Sequence, residues 1–325
     1  MKIIGVIAAI VAAVSYGTNP LWAHYLVADG VWTHSMLLGR FVLAAAMLGL
    51  WAAMTRQSLS VSRSDIAMMM LAGSLFGCSS LGLFGAFRFM DSGLSCTLLF
   101  VTPVMVAALM ATIAKERPGI AILIAMALAL GGVALLTKAG PSVNFSWIGF
   151  ALVMFSASCY ALYMVIMNIH RIGKLPPLVL TFWTFFVCAL LMVAAAFVQG
   201  AKLNAPHTMP GWLNLFLLAL VPSVISLVTV NMAIPRIGST STALIGALEP
   251  VTGVIIGTVV MSEAFTSRYA AGIGLIFASV FVTVAKQQQR SIQERPHPET
   301  IRHLTKHRAL PSIPAVFART EDSMQ

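Results

Sequence analysis

The chain is a succession of long apolar runs separated by short polar connections. Ten of these runs reach or approach the roughly 20 residues that a helix needs to cross a bilayer. They cover about Ile3–Leu26, Trp32–Met54, Ile66–Phe87, Gly93–Ala114, Gly119–Thr137, Trp147–Ile169, Pro177–Gln199, Trp212–Ile234, Ser239–Met261 and Tyr269–Ala285. The pattern predicts an all-α polytopic membrane protein with ten transmembrane helices. The connections are short, so neighbours in sequence should be neighbours in space, and no loop is large enough to form a separate domain.

The stretch Gly238–Met261 organises the rest. It carries Glu249-Pro250 in its middle, where a carboxylate is expensive and a proline removes a backbone hydrogen bond. An earlier run carries Thr102-Pro103 in the same place. Pro103 and Pro250 are 147 residues apart, as are Glu116 and Glu263, which follow the two broken runs. Ile4-Gly5 is echoed by Ile148-Gly149 and Tyr16 by Tyr160, each at a spacing of 144. The chain therefore reads as two five-helix units, 3–138 and 147–286, followed by a tail, 287–325. An odd number of helices per unit makes the second unit insert upside down, which gives an inverted repeat. Proline-interrupted segments in corresponding halves are the expected place of a transport site.

Composition agrees with a membrane interior. The chain is 59% hydrophobic and only 9% charged, against about 25% charge in a soluble domain. The 20 Lys and Arg against 10 Asp and Glu do not indicate nucleic acid, because the basic residues lie in loops and in the tail, where they set topology and meet anionic lipid. With the N-terminus in the cytoplasm, Lys2, Arg56, Arg63, Lys115, Arg117, Arg171, Lys174, Arg236 and the tail lie inside, against Arg88, Lys138, Lys202 and Arg268 outside. Both termini are then cytoplasmic. The Met1-Lys2 opening imitates a signal peptide, but its apolar run continues to Leu26 and is too long for one. The tail is rich in Pro, Gln and basic residues, cannot bury a core and is expected to be disordered. Cys78, Cys96, Cys159 and Cys188 all fall in apolar runs without metal-ligand spacing, so they read as core residues, with no metal and no cofactor.

Arg40 and Glu249 are the residues placed well inside spans that are ionised at neutral pH. Each should face a cavity or a partner. Arg40 could meet a substrate carboxylate with its planar fork, or cap carbonyls, or pair with Glu249. Glu249 could bind a substrate amine, carry a proton, or stabilise the backbone opened by Pro250. Tyr16, Asn19, Thr102, Tyr160 and Asn231 add polar groups to a cavity, and Pro20, Pro103 and Pro250 mark the helix breaks. Glu116 and Glu263, at hairpin turns, read as caps or interfacial anchors. Gly73-x-x-x-Gly77 and Gly253-x-x-x-Gly257 read as close-packing devices.

Several motifs resemble one family. Ser15-Tyr16-Gly17-Thr18-Asn19-Pro20 resembles its S-[WY]-G opening, Arg40-Phe41 its R-F signature, and Leu248-Glu249-Pro250-Val251 followed by Glu263 its LEPV…E hairpin. Together with the duplication, the chain is similar to the EamA family of the drug/metabolite transporter superfamily, from about Ile3 to Lys286. The resemblance implies a ten-helix carrier of small metabolites, commonly amino acids, often moving outward. It implies a structural or gating role for Arg40 more than a substrate contact, because the family shares this arginine across substrates. The first repeat departs at Thr102, where the second has Glu249, so the halves are not chemically equivalent.

The function expected is secondary transport, most simply export of amino acids or related solutes, in a bacterial inner membrane. A homodimer is compatible with this reading, but a monomer suffices. No H-E-x-x-H, nucleophile elbow or P-loop is found, so neither an enzyme nor an ATP-driven pump is indicated. A membrane sensor or scaffold is the alternative, although it would not need ten duplicated helices around intramembrane charges.

Overall fold

The first span breaks where Asn19-Pro20 predicts. Helix α1 (Lys2–Gly17) stops at Thr18, and α2 (Asn19–Ala28) restarts with Pro20 in its first turn, where a missing N–H is tolerated. Thr18 covers the joint: its hydroxyl donates to the Ser15 carbonyl at 2.7 Å and accepts from Trp22 Nε1 at 3.1 Å. The structure is a computed structural model that describes residues 2–86, 88–89, 95, 98–115, 118–136, 146–198, 200, 203–260 and 267–293. Glu116, Glu263, Cys96, Met261, the 137–145 connection and the tail beyond 293 lie outside the described residues.

The remaining helices of the first half are α3 (Thr33–Met54), α4 (Arg63–Ala86), α5 (Thr102–Ile113) and α6 (Ile120–Leu136). The second half has α7 (Trp147–Ile169), α8 (Pro177–Val198), α9 (Met209–Ala219), α10 (Ser226–Ile237), α11 (Ser239–Ile245), α12 (Leu248–Val259) and α13 (Ser267–Gln293). A tight 3-10 turn, Arg171–Lys174, links α7 to α8, and a π-helical turn, Leu220–Ile225, carries α9 into α10 around Pro222. Eight helical stretches among the described residues are long and apolar enough to cross a membrane. Thr102–Ile113 and Ile120–Leu135 are apolar but shorter, so the ten expected crossings are matched in length at eight places. By contacts, the described helices up to Gln287 belong to one unit.

In lipid, helices associate through close packing rather than water exclusion, which favours small residues at the contacts. The α1 helix follows this rule. Its buried face is Gly5, Ala8, Ala9, Ala12, Ala13, Ser15 and Gly17. The Gly5 end lies against Arg236 and Ile237 of α10, and the Gly17 end lies against Glu249 and Thr252 of α12. Gly73 does the same between α4 and α8: a Cβ there would stand 2.6 Å from Val187 Cβ. This bears out the packing reading of Gly73-x-x-x-Gly77. On α6, a Cβ at Gly132 would stand 2.8 Å from the Gly272 carbonyl of α13, and Ser279 Oγ donates to Ala125 O at 2.7 Å across the same pair.

The packing exchanges the halves. α1 packs on α10 as α7 packs on α4, and α12 lies on α1 as α5 lies on α7. α3 faces α8, and α5 faces α11. At the middle, Phe41, Phe76, Tyr160, Tyr163 and Phe185 form one aromatic cluster from α3, α4, α7 and α8, with ring centroids 5.4–6.4 Å apart. Such edge-on and offset pairs add about 0.5–1.5 kcal/mol each beyond area burial.

Candidate functional site

A cavity lies where the two proline-broken segments meet. Its walls come from Ala9, Ala12 and Ala13 of α1, from Thr102 and Pro103 of α5 with Leu99 and Phe100 just before them, and from Tyr160 and Met164 of α7. Val230 of α10 and Thr242, Ala243, Gly246 and Glu249 around the α11–α12 joint complete it. The cavity measures about 50 Å³. That is room for a few water molecules, well below the 300–1,000 Å³ of an open ligand pocket. The site is narrow in this conformation.

The α11–α12 joint is shaped by Pro250. Because Pro250 has no N–H, the ladder shortens: Gly246 N donates to Thr242 O, Ala247 N to Leu244 O, and Glu249 N to Gly246 O. This shifted pattern skips the carbonyls of Ala243 and Ile245. Unwound backbone at membrane depth is tolerated where it lines a cavity, and Ala243 and Gly246 do line it. Glu249 stands in the first turn of α12, half-buried in the cavity wall. Among the described residues its carboxylate has no ion-pair or hydrogen-bond partner. Tyr160 lies near Glu249 and Tyr16.

Arg40 is elsewhere. It is 2% exposed on α3, and its guanidinium carbon lies 5.2 Å from the Phe41 ring centroid and 5.8 Å from that of Tyr16. Its Nε is buried without a hydrogen-bond partner among the described residues. Arg40 is neither part of the cavity wall nor paired with Glu249, and the aromatic faces supply its electrostatic company. Of the sequence-derived set, the structure brings Thr102, Pro103, Tyr160, Glu249 and the Pro250 break to one place. Tyr16 lies beside Arg40, and Asn19 and Pro20 open α2 outside the wall. Trp183 of α8 reaches loop level, where it donates Nε1 to Leu59 O at 2.9 Å in the α3–α4 connection.

Asn231 serves a different network. Tyr163 Oη donates to Asn231 Oδ1 at 2.9 Å, Asn231 Nδ2 donates to Thr181 Oγ1 at 3.1 Å, and Thr181 Oγ1 donates to Pro177 O at 2.7 Å. The chain of bonds ties α7, α10 and α8, and Tyr163, Asn231 and Thr181 are all buried.

Two polar clasps, not foreseen from the sequence, sit at loop level. In the first, Asp29 accepts from Thr208 Oγ1 at 2.8 Å and from the His207 and Thr208 amides at 2.9 and 3.4 Å. The Thr208 hydroxyl, and then the two amides with the His207 charge, hold the Asp29 carboxyl below the usual carboxylate range against a smaller opposing effect of burial. Asn204 adds bonds to Gly30 O, Trp32 N and Ser35 Oγ. In the second clasp, Arg171 Nε meets Asp65 Oδ1 at 2.6 Å and Arg171 Nη2 meets Ser64 Oγ at 2.5 Å. At the 144-residue spacing, Asp29 and Thr208 correspond to Gly173 and Ser64, so the clasps occupy matching places in the two halves. The available signal was scarcity: with 10 acidic residues in 325, an Asp at a helix end is seldom idle.

Comparison with known proteins supports the architecture. The EamA-like transporter family matches the chain twice, over residues 3–138 and 147–285. A solved structure titled "Crystal structure of protein" shares the fold at a TM-score of 0.75 and 16% identity, covering 89% of this chain and 99% of that one. No curated protein matches by sequence. The match over both halves, together with its long apolar helices, makes this a multi-pass membrane protein of a transporter family. The chain belongs to the EamA-like transporter family of the drug/metabolite transporter superfamily.

Proposed function

We propose that the chain is a secondary, non-ATP-driven transporter that exports amino acids or related small metabolites by alternating access. The observation that carries this is the narrow cavity between two broken helices, with polar clasps between loops of both halves. A carrier that alternates must open one clasp at a time, and matching clasps in the two halves suit that cycle. The exchange of helix contacts supports two five-helix units, 3–138 and 147–286, related by an axis in the membrane plane. The Lys and Arg distribution supports both termini in the cytoplasm of a bacterial inner membrane. Loops that touch fall on the same side in this orientation: 29–32 with 203–208 outside, and 58–65 with Arg171 and Trp183 inside. Arg40 acts as a buried brace near the α1–α2 joint, and Glu249 is the charged group of the transport cavity. Counterflow tests the reading: proteoliposomes loaded with a mixture of unlabelled amino acids should take up labelled ones without ATP. Absence of counterflow for every amino acid, with no metabolite build-up in cells lacking the protein, would overturn it.

A further inference from the structure

We infer that the cavity recognises the protonated amine of its solute and does not read a carboxylate. The inference deepens the transport reading, and rests on it for treating the occupant as cargo.

The chemistry of the wall is one-sided. Glu249 presents a carboxylate to the cavity, with no cation beside it among the described residues. Among the described residues no Lys, Arg or His lines the space, and Arg40 is held against Tyr16 and Phe41 instead. The two threonines of the wall have committed their protons: Thr102 Oγ1 donates to Leu99 O at 2.6 Å, and Thr242 Oγ1 to Gly238 O at 2.8 Å. A hydroxyl has one proton to give, so each has only lone pairs left to offer. Ala243, whose carbonyl the shortened ladder skips, lines the same wall.

Tyr160 completes the set with an aromatic face suited to a cation and a hydroxyl that can accept or donate. The wall is thus rich in acceptors and negative. An ammonium has three donors and a positive charge, which matches the carboxylate and the lone pairs. A carboxylate would meet Glu249 and lone pairs, and would be repelled.

The test uses the full chain in lipid nanodiscs with three probes built on the same four-carbon chain: n-butylamine, norvaline and valerate. They carry the amine alone, both groups, and the carboxylate alone. Calorimetry should show binding of n-butylamine and norvaline but not of valerate. Glu249→Gln should weaken amine binding by about tenfold to a hundredfold, the value of a hydrogen bond to a charged group. Tyr160→Phe should weaken it less. Valerate binding as well as n-butylamine, binding of none of the three, or unchanged amine binding in Glu249→Gln would each overturn the inference. If Glu249→Gln loses proton-driven uptake but binds amines as before, Glu249 is a proton carrier and the amine site is wrong. If that variant does not fold, the three-probe series on the unaltered protein decides alone. Amine-selective binding without counterflow of any bound probe would keep this inference and sink the transport reading. Counterflow of valerate, indifferent to Glu249→Gln, would do the reverse.

Discussion

Gly17 lies directly against the backbone of Glu249. A Cβ at Gly17 would stand 2.6 Å from the Glu249 carbonyl oxygen and 2.6 Å from Thr252 Cβ. The joint of the first span therefore rests on the first turn of α12, next to the cavity. A backbone oxygen cannot rotate aside as a flexible side chain can, so the contact tolerates only glycine.

Gly17→Ala should accordingly push α1 away from α12. Overpacking of this kind costs about 1–3 kcal/mol. Thermal melting in detergent should show the loss, and counterflow should fall with it. Gly85→Ala is the control, since a Cβ there meets only Leu152 Cδ1 at 3.7 Å, an ordinary contact.

Tyr163→Phe should remove the donor to Asn231 Oδ1 in a dry site and cost about 1–3 kcal/mol. Adding Asn231→Leu should cost less than the sum of the single changes. Thr181 keeps its bond to Pro177 O, and no buried amide is then left short of a partner. Additive losses in the melting curves would show that the two residues act separately.

The Asp29 clasp should respond to acid. Its folded carboxyl titrates below the ordinary value of 3.8, first through the Thr208 hydroxyl. A depressed folded value means that the contribution to stability is fully present above the ordinary value and is lost as pH falls through the lower one. Hydrogen exchange at the His207 and Thr208 amides should therefore stay slow from neutral pH to about pH 4 and quicken below it. In Asp29→Asn that acid dependence should vanish. Gly211→Ala should loosen the same clasp at all pH values, because a Cβ there would fall 2.1 Å from Asp29 Oδ2.

Arg40→Lys should destabilise the protein by on the order of 1–2 kcal/mol, although the charge is retained. A compact ammonium cannot lie flat over two rings as a guanidinium does. Arg40→Ala should cost more, because the packed stem is lost as well. Denaturant titration measures both. Neither change should alter the preference between amine and carboxylate probes, because Arg40 does not line the cavity.

Orientation can be read by labelling. In a background without the native cysteines, Ser58→Cys should react with an impermeant reagent only from the cytoplasmic side and Ala205→Cys only from outside. Both positions are exposed in loops. The reverse pattern would invert the proposed topology.

Several features were legible in the sequence because they depend on composition and local covalent chemistry. A bilayer admits only apolar runs of a certain length, so the spans could be marked from hydropathy. Pro20 and Pro250 lack an N–H wherever they stand, so the breaks at Thr18 and at Gly246-Ala247 followed from the letters alone. Spacings of 144 and 147 disclosed the duplication, and the two family matches fall on the same halves. The tertiary structure decided which polar groups meet. Nothing in the sequence distinguishes Arg40 from Glu249 as a cavity charge, since both are single ionised residues inside apolar runs. Only packing turns Arg40 onto the Tyr16 and Phe41 rings and leaves Glu249 in the wall with Tyr160 and Thr102. Asn231 likewise reads as a cavity residue until Tyr163 and Thr181 are seen to claim it. The clasps of Asp29 with Thr208 and of Asp65 with Arg171 join residues 179 and 106 positions apart. Contacts over such separations depend on how the helices cross, which local sequence does not determine.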